Sequence, residues 1–81
     1  MTFQTLDYII AIAEEKSISK AADRLLLSQP ALSRQLKRVE ESLDTKLFTR
    51  EQNVMHLTDA GKIYVNGARS IQNIYERAPP A

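Results

Sequence analysis

The chain has no cysteine, and His56 is its single histidine among 81 residues. Without cysteine there is no disulfide scaffold, no thiolate nucleophile and no Cys-based zinc site, and the composition suits a reducing compartment such as the cytoplasm. One histidine alone does not assemble a Cys/His structural zinc site, so neither a metal nor a cofactor is expected. Long apolar runs are also missing. The longest, Tyr8 to Ala13, falls well short of the roughly 20 apolar residues that cross a bilayer. The residues after Met1 show no charged stretch leading into an apolar one, which argues against secretion and against a membrane partner. The length allows one small domain. A chain of this size buries only about 60–65% of its unfolded surface, so a modest core helped by a second copy is expected.

A strong charge of either sign is absent as well, the formal net charge being +1. Nucleic-acid binders usually carry a basic footprint, so this average alone argues mildly against one. Position changes the reading. Residues 1–15 carry Asp7, Glu14 and Glu15 and no base, a balance of −3. Residues 16–38 carry Lys16, Lys20, Arg24, Arg34, Lys37 and Arg38 against Asp23, a balance of +5. Residues 39–81 return −1, with five bases and six acids. The middle of the chain is strongly basic.

Periodicity divides the chain into elements. Phe3, Leu6, Tyr8, Ile9, Ile10, Ile12 and Ala13 recur at three- and four-residue steps, which predicts an amphipathic first helix capped by Thr2 and ending at Lys16-Ser17. A short second helix is expected after Ser19 as N-cap, running through Lys20 to Leu25, with Ala21 and Ala22 allowing close helix approach. Ser28-Gln29-Pro30 is the strongest local signal. A capping serine precedes a proline whose fixed φ and missing N–H suit only the first helical turn. The third helix then runs from Gln29 to about Ser42. Leu32, Leu36, Val39 and Leu43 share a stripe of roughly 60° on it, and Pro30, Ser33, Arg34, Lys37 and Arg38 lie opposite. Leu47–Arg50 and Val54–Leu57 read as a hairpin around Glu51-Gln52-Asn53, a loop without the glycine that favours a tight turn. Thr58-Asp59 caps a last helix to Arg77, about 30 Å long by its rise per residue. On it Ala60, Tyr64, Gly67, Ile71 and Ile74 form an alternating seam with Ile63, Ala68 and Tyr75 beside them. Ala78-Pro79-Pro80-Ala81 stops that helix and reads as linker.

Two short helices joined by Leu26-Leu27-Ser28, the second with a basic outer face, form a helix-turn-helix pattern. A major groove about 12 Å wide admits one such helix. Gln29 suits a bidentate contact to adenine and Arg34 to guanine, while Lys20, Lys37 and Arg38 suit phosphates. The following hairpin would form a wing beside the groove, bringing Arg50, Asn53 or His56 to the backbone or minor groove.

The ordered set Ala21-Ala22-Asp23-Arg24-Leu25, Ser28-Gln29-Pro30-Ala31-Leu32-Ser33-Arg34-Gln35-Leu36, Glu40-Glu41, Leu47-Phe48 and Leu57-Thr58-Asp59-Ala60-Gly61 resembles the N-terminal domain of LysR-type transcriptional regulators. The resemblance covers residues 3 to about 77. It implies a mainly α fold: a winged helix-turn-helix of three helices and a two-stranded hairpin, followed by a long dimerisation helix. It implies double-stranded DNA as partner, base contacts from Gln29, Pro30, Ser33 and Arg34, and backbone contacts from Ser28 and Arg50, beside the phosphate contacts from Lys20, Lys37 and Arg38 that their charge and position suggest. Asn53 and His56 are candidate wing contacts, although a solvated turn and strand is the better-weighted reading for both. The wing tip departs from the family, which often has Arg and Gly where this chain has Glu51-Gln52-Asn53-Val54. A homodimer is implied through Tyr64, Gly67, Ala68, Ile71, Ile74 and Tyr75, with a tetramer the alternative for the intact protein. The expected division is residues 1–58 for DNA, 59–77 for pairing and 78–81 as a stub toward an effector-binding domain outside these residues.

Other classes compete poorly. Glu14-Glu15 and Glu40-Glu41 are adjacent on helices and diverge by about 100°, so neither pair makes an acid/base couple. Ser17, Ser19, Ser28 and Ser33 have no His or Asp placed to activate them, and no enzyme is expected. A pure protein-pairing module that has lost DNA binding is the main rival, supported by the near-neutral charge and by a wing that lacks the family's usual arginine.

Overall fold

A computed structural model describes residues 3–77; the expected Thr2 cap and the 78–81 linker lie outside them. In chain order the elements are α1 (Phe3–Glu15), α2 (Ile18–Leu25), α3 (Gln29–Leu43), β1 (Phe48–Glu51), β2 (Val54–Leu57) and α4 (Asp59–Arg77). The apolar face of α1 is wide enough to touch α2, α3, α4 and β2, which makes it the centre of the fold. Its Ile9 and Ile12 are fully buried with Ala21 of α2 and Leu32 of α3. Each such isoleucine contributes about 1.5–3 kcal/mol through removal of apolar surface from water. The predicted stripe of α3 faces this core through Leu32, Leu36 and Val39, and Val65 of α4 and Met55 of β2 close it.

The local signals decide where the helices begin. Ser28 is extended and its hydroxyl oxygen accepts from Ala31 N–H at 3.2 Å, with Pro30 in the first turn of α3. The cap of α2 is Ser17, whose side chain accepts from Lys20 N–H at 3.1 Å. Ser19, expected to cap it, lies inside the first turn. The two serines offer the same chemistry, and the burial of Ile18 settles the choice in favour of an earlier start.

Three helices stop in the left-handed region without a glycine: Lys16 (φ 55°), Leu26 (φ 60°) and Asp44 (φ 50°) follow α1, α2 and α3. At Leu26 the stop is reinforced by Leu27 N–H donating to Ala22 O at 2.9 Å, closing the turn between α2 and α3. Such a conformation costs a residue with a side chain about 1–2 kcal/mol, and Leu26 gains little in return, being 92% exposed.

β1 and β2 pair antiparallel, with Phe48 opposite Leu57, Arg50 opposite Met55 and Glu51 opposite Val54. The loop is therefore the two residues Gln52 and Asn53, and both take positive φ, 51° and 64°. This is the pattern of the turn that matches strand twist, reached here with glutamine and asparagine where glycine is the usual solution. The hairpin leans on the helices, since Met55 N–H donates to Lys16 O at 3.0 Å. The whole is a winged helix-turn-helix with a long fourth helix.

Candidate nucleic-acid interface

On α3 the core stripe leaves Gln29, Pro30, Ser33, Arg34, Lys37 and Arg38 on one exposed side, joined by Ser28 at the cap. Among the described residues Arg34 and Arg38 form no ion pair, and Lys37 meets only Glu41, at 4.0 Å with both side chains largely exposed. Such a contact is worth little in water and yields readily to a phosphate. Lys20 on α2 is exposed as well.

The start of α2, the start of α3 and the wing converge on one cleft of about 210 Å³, lined by Ser17, Ile18, Ser19, Gln29, Arg50, Asn53 and Met55. Three residues chosen from the sequence, Gln29, Arg50 and Asn53, are thus brought together. Ser19, read from the sequence only as a cap, joins them. The ribbon alternation puts Arg50 on the same face as Phe48 and Met55, and its Nε donates to the Met55 sulfur at 3.4 Å. Thr49, Glu51 and His56 fall on the opposite face. His56 is therefore not brought to the cleft, and Glu51, which a phosphate would repel, points away from it.

Arg24 belongs to the basic segment by position and not by geometry. Its guanidinium lies 2.8 Å from Glu14 and 3.2 Å from Glu15, on the side of α2 that faces α1. Arg69 of α4 reaches the same Glu14 at 3.3 Å, so this carboxylate links three helices. The Arg24 hydrogen bond, with Arg69 adding to it, holds the Glu14 carboxyl below its ordinary range, and Arg24 is pushed up in turn. A lowered carboxylate contributes stability above its unfolded pKa and loses it as pH falls through the folded one, so this link weakens only in acid.

The seam of α4 is divided by the fold. Ala68 is 2% exposed and packs with Leu6 and Ile10 inside the subunit. Tyr64 is half-buried against the core, and burial raises its phenol pKa. The outward side carries Ile63 at 75% exposure, Ile74 at 67%, Ile71 and Tyr75, with the Phe3 ring tilted against Tyr75 at a centroid separation of 4.5 Å. The space beside Gly67 is open. No helix among the described residues is long and apolar enough to cross a membrane.

The family model of bacterial regulatory helix-turn-helix proteins of the lysR family matches residues 3–62. The chain is 44% identical over 69 residues to the HTH-type transcriptional regulator AlsR of Bacillus subtilis, covering 85% of this chain and 23% of that protein. Among solved structures, the CbnR DNA-binding domain in complex with DNA superposes with a TM-score of 0.89 at 37% identity, covering 96% of this chain and 90% of that one. The BenM DNA-binding domain on a catB site gives 0.90 at 34%, covering 95% and 86%. The chain spans about a quarter of the length of curated relatives.

Proposed function

The chain belongs to the lysR family of bacterial regulatory helix-turn-helix proteins, and from that premise we propose that it binds double-stranded DNA sequence-specifically as a homodimer in the cytoplasm. The observation that carries this reading is the exposed face of α3, which carries Gln29, Ser33 and Arg34, with Arg50 of the wing lining one cleft with Gln29. In the major groove Arg34 donates two hydrogen bonds to guanine, Gln29 exchanges two with adenine, and Ser33 and Pro30 touch base edges. Ser28, Lys20, Lys37, Arg38 and Arg50 meet phosphates, which fixes the register without reading sequence. Asn53 sits at the tip of the wing, and its left-handed backbone turns the strand back at the groove edge.

In this reading residues 1–58 contact DNA, residues 59–77 pair the subunits, and residues 78–81 lead toward an effector-binding region of a longer protein. The length of the relatives supports that division. Pairing uses Ile63, Gly67, Ile71, Ile74 and Tyr75, the outward side of α4. Ala68 and Tyr64, both expected from the sequence to pair, are left out because they pack on the subunit's own core. Family membership speaks for a regulator, not an enzyme.

Selection of bound sites from random duplexes tests the proposal. The expected result is an inverted repeat with half-sites about one helical turn apart. A pool that stays random after repeated rounds refutes it.

A further inference from the structure

Among the described residues Glu40 is the one buried charged side chain, 9% exposed. Its neighbour Glu41 is exposed, so the two carboxylates that look alike in sequence have different surroundings. A carboxylate taken out of water is costly unless its oxygens are hydrogen-bonded. Here Oε2 accepts from Leu47 N–H at 2.7 Å and, at a longer 3.4 Å, from Phe48 N–H. Lys46 Nζ stands 3.8 Å from Oε1. The short bond to Leu47 is charge-assisted, of the class roughly twice as strong as a neutral one.

The segment from Lys46 to Phe48 is held from its other side too. Thr58 Oγ1 donates to Lys46 O at 2.7 Å and Thr58 N–H donates to Leu47 O at 3.0 Å, while the same Thr58 hydroxyl accepts from Gly61 N–H. The chain leading into the wing is thus clamped between α3 and the first turn of α4. Arg50 lies two residues beyond Phe48 on the same face of the ribbon, in the cleft shared with Gln29.

We propose that Glu40 is a positioning residue for DNA binding: by gripping Leu47 and Phe48 from the recognition helix, it sets where the wing holds Arg50 relative to Gln29. This rests on the DNA-binding reading and extends it to a residue that faces away from DNA.

The test compares Glu40→Met, which keeps the volume and removes the acceptor, with Glu40→Gln, which keeps a neutral one. Each is made with and without Arg50→Ala and titrated with the selected duplex over a salt series, while amide exchange is followed at Leu47 and Phe48. Folded Glu40→Met should exchange faster at those amides. Its slope of log K against log salt should flatten by about 0.9 per subunit, one phosphate contact, matching Arg50→Ala, and the double variant should lose nothing more. Glu40→Gln should fall between Glu40→Met and the unaltered chain. If Glu40→Met does not fold, Glu40→Gln carries the test, its loss being confined to chains that retain Arg50. An unchanged slope in a folded variant overturns the inference, as does equal loss with and without Arg50 or an Arg50→Ala chain with the original slope. Failure of the unaltered chain to bind any duplex would instead count against the DNA-binding reading.

Discussion

Replacing Ile63 and Ile74 together by glutamate is expected to turn the protein into a folded monomer that binds an inverted-repeat duplex about 10²–10⁴-fold more weakly. The magnitude follows from linkage. In a dimer the second half-site is bound intramolecularly, at an effective concentration far above that of free protein, and separating the subunits removes this gain without touching a DNA contact. The two isoleucines are the right positions because they are 75% and 67% exposed within the subunit. Glutamate there costs the core little and places like charges across the pairing seam. Truncating α4 would confuse the result, since Val65 and Ala68 of the same helix are buried in the subunit's own core. Sedimentation should report half the mass with an unchanged circular dichroism spectrum, and affinity for a single half-site should stay the same. A variant that remains dimeric places the pairing surface elsewhere.

Gly61→Ala is expected to lose most of the stability of the fold. In an exposed helix this change gains about 1 kcal/mol. Here the added methyl would lie 2.0 Å from Leu47 O, a backbone atom, and 2.9 Å from Leu57 Cδ2. The carbonyl cannot retreat cheaply, because it accepts from Thr58 N–H while the Leu47 amide is held by Glu40. Relief requires moving the first turn of α4 away from the wing segment and breaking that clamp. A cost of about 3 kcal/mol or more is expected, beyond ordinary overpacking. For a domain of this size that lowers Tm by about 12 °C or more, which a thermal melt will read. A melt within a few degrees of the original would contradict the close packing of α4 on Leu47.

Much of this architecture was legible in local chemistry. Ser28 and Pro30 can serve little but a helix start, and of the predicted stripe Leu32, Leu36 and Val39 face the core while Leu43, at the last turn where no neighbouring element covers it, is exposed, so α3 and its outer face followed directly. The sequence misled where two positions offered equivalent chemistry or where partners came from far along the chain. Ser17 and Ser19 cap equally well until the burial of Ile18 is known. Gln52 takes its place in the tight turn against its propensity, while Asn53 tolerates the left-handed region well; pairing of β1 with β2 and packing of Met55 fix both strands. Arg24 counted toward the basic segment of residues 16–38 until Glu14 and Glu15 of α1 engaged it. Ala68 and Ile63 exchange places because an apolar seam at three- and four-residue steps does not say which edge a neighbouring helix covers. Glu40 had no local signal at all: its role exists only once the chain turns back past Asp44.

The rival reading, a pairing module without DNA binding, leaned on the net charge of +1 and on a wing tip without the family's usual arginine. The first is an average over position, and the second leaves Arg50 in place on the wing beside Gln29. Strand register puts Glu51 on the ribbon face opposite Arg50, and of the other acids three sit on α1 and two on α4, while Glu40, Glu41 and Asp44 lie at the far end of α3 from Gln29.

The most direct measurement is titration of the selected duplex at about 50 and about 200 mM salt, with the unaltered protein and with Arg34→Ala. Four cations per subunit, Lys20, Lys37, Arg38 and Arg50, lead to an affinity loss of about 10³–10⁵ across that range for a dimer. Arg34→Ala should cost a further 1–3 kcal/mol, roughly, at each half-site and relax the preference at one base pair, leaving the salt slope nearly unchanged. Affinity indifferent both to salt and to Arg34 would contradict the assignment of α3 as the helix that reads DNA.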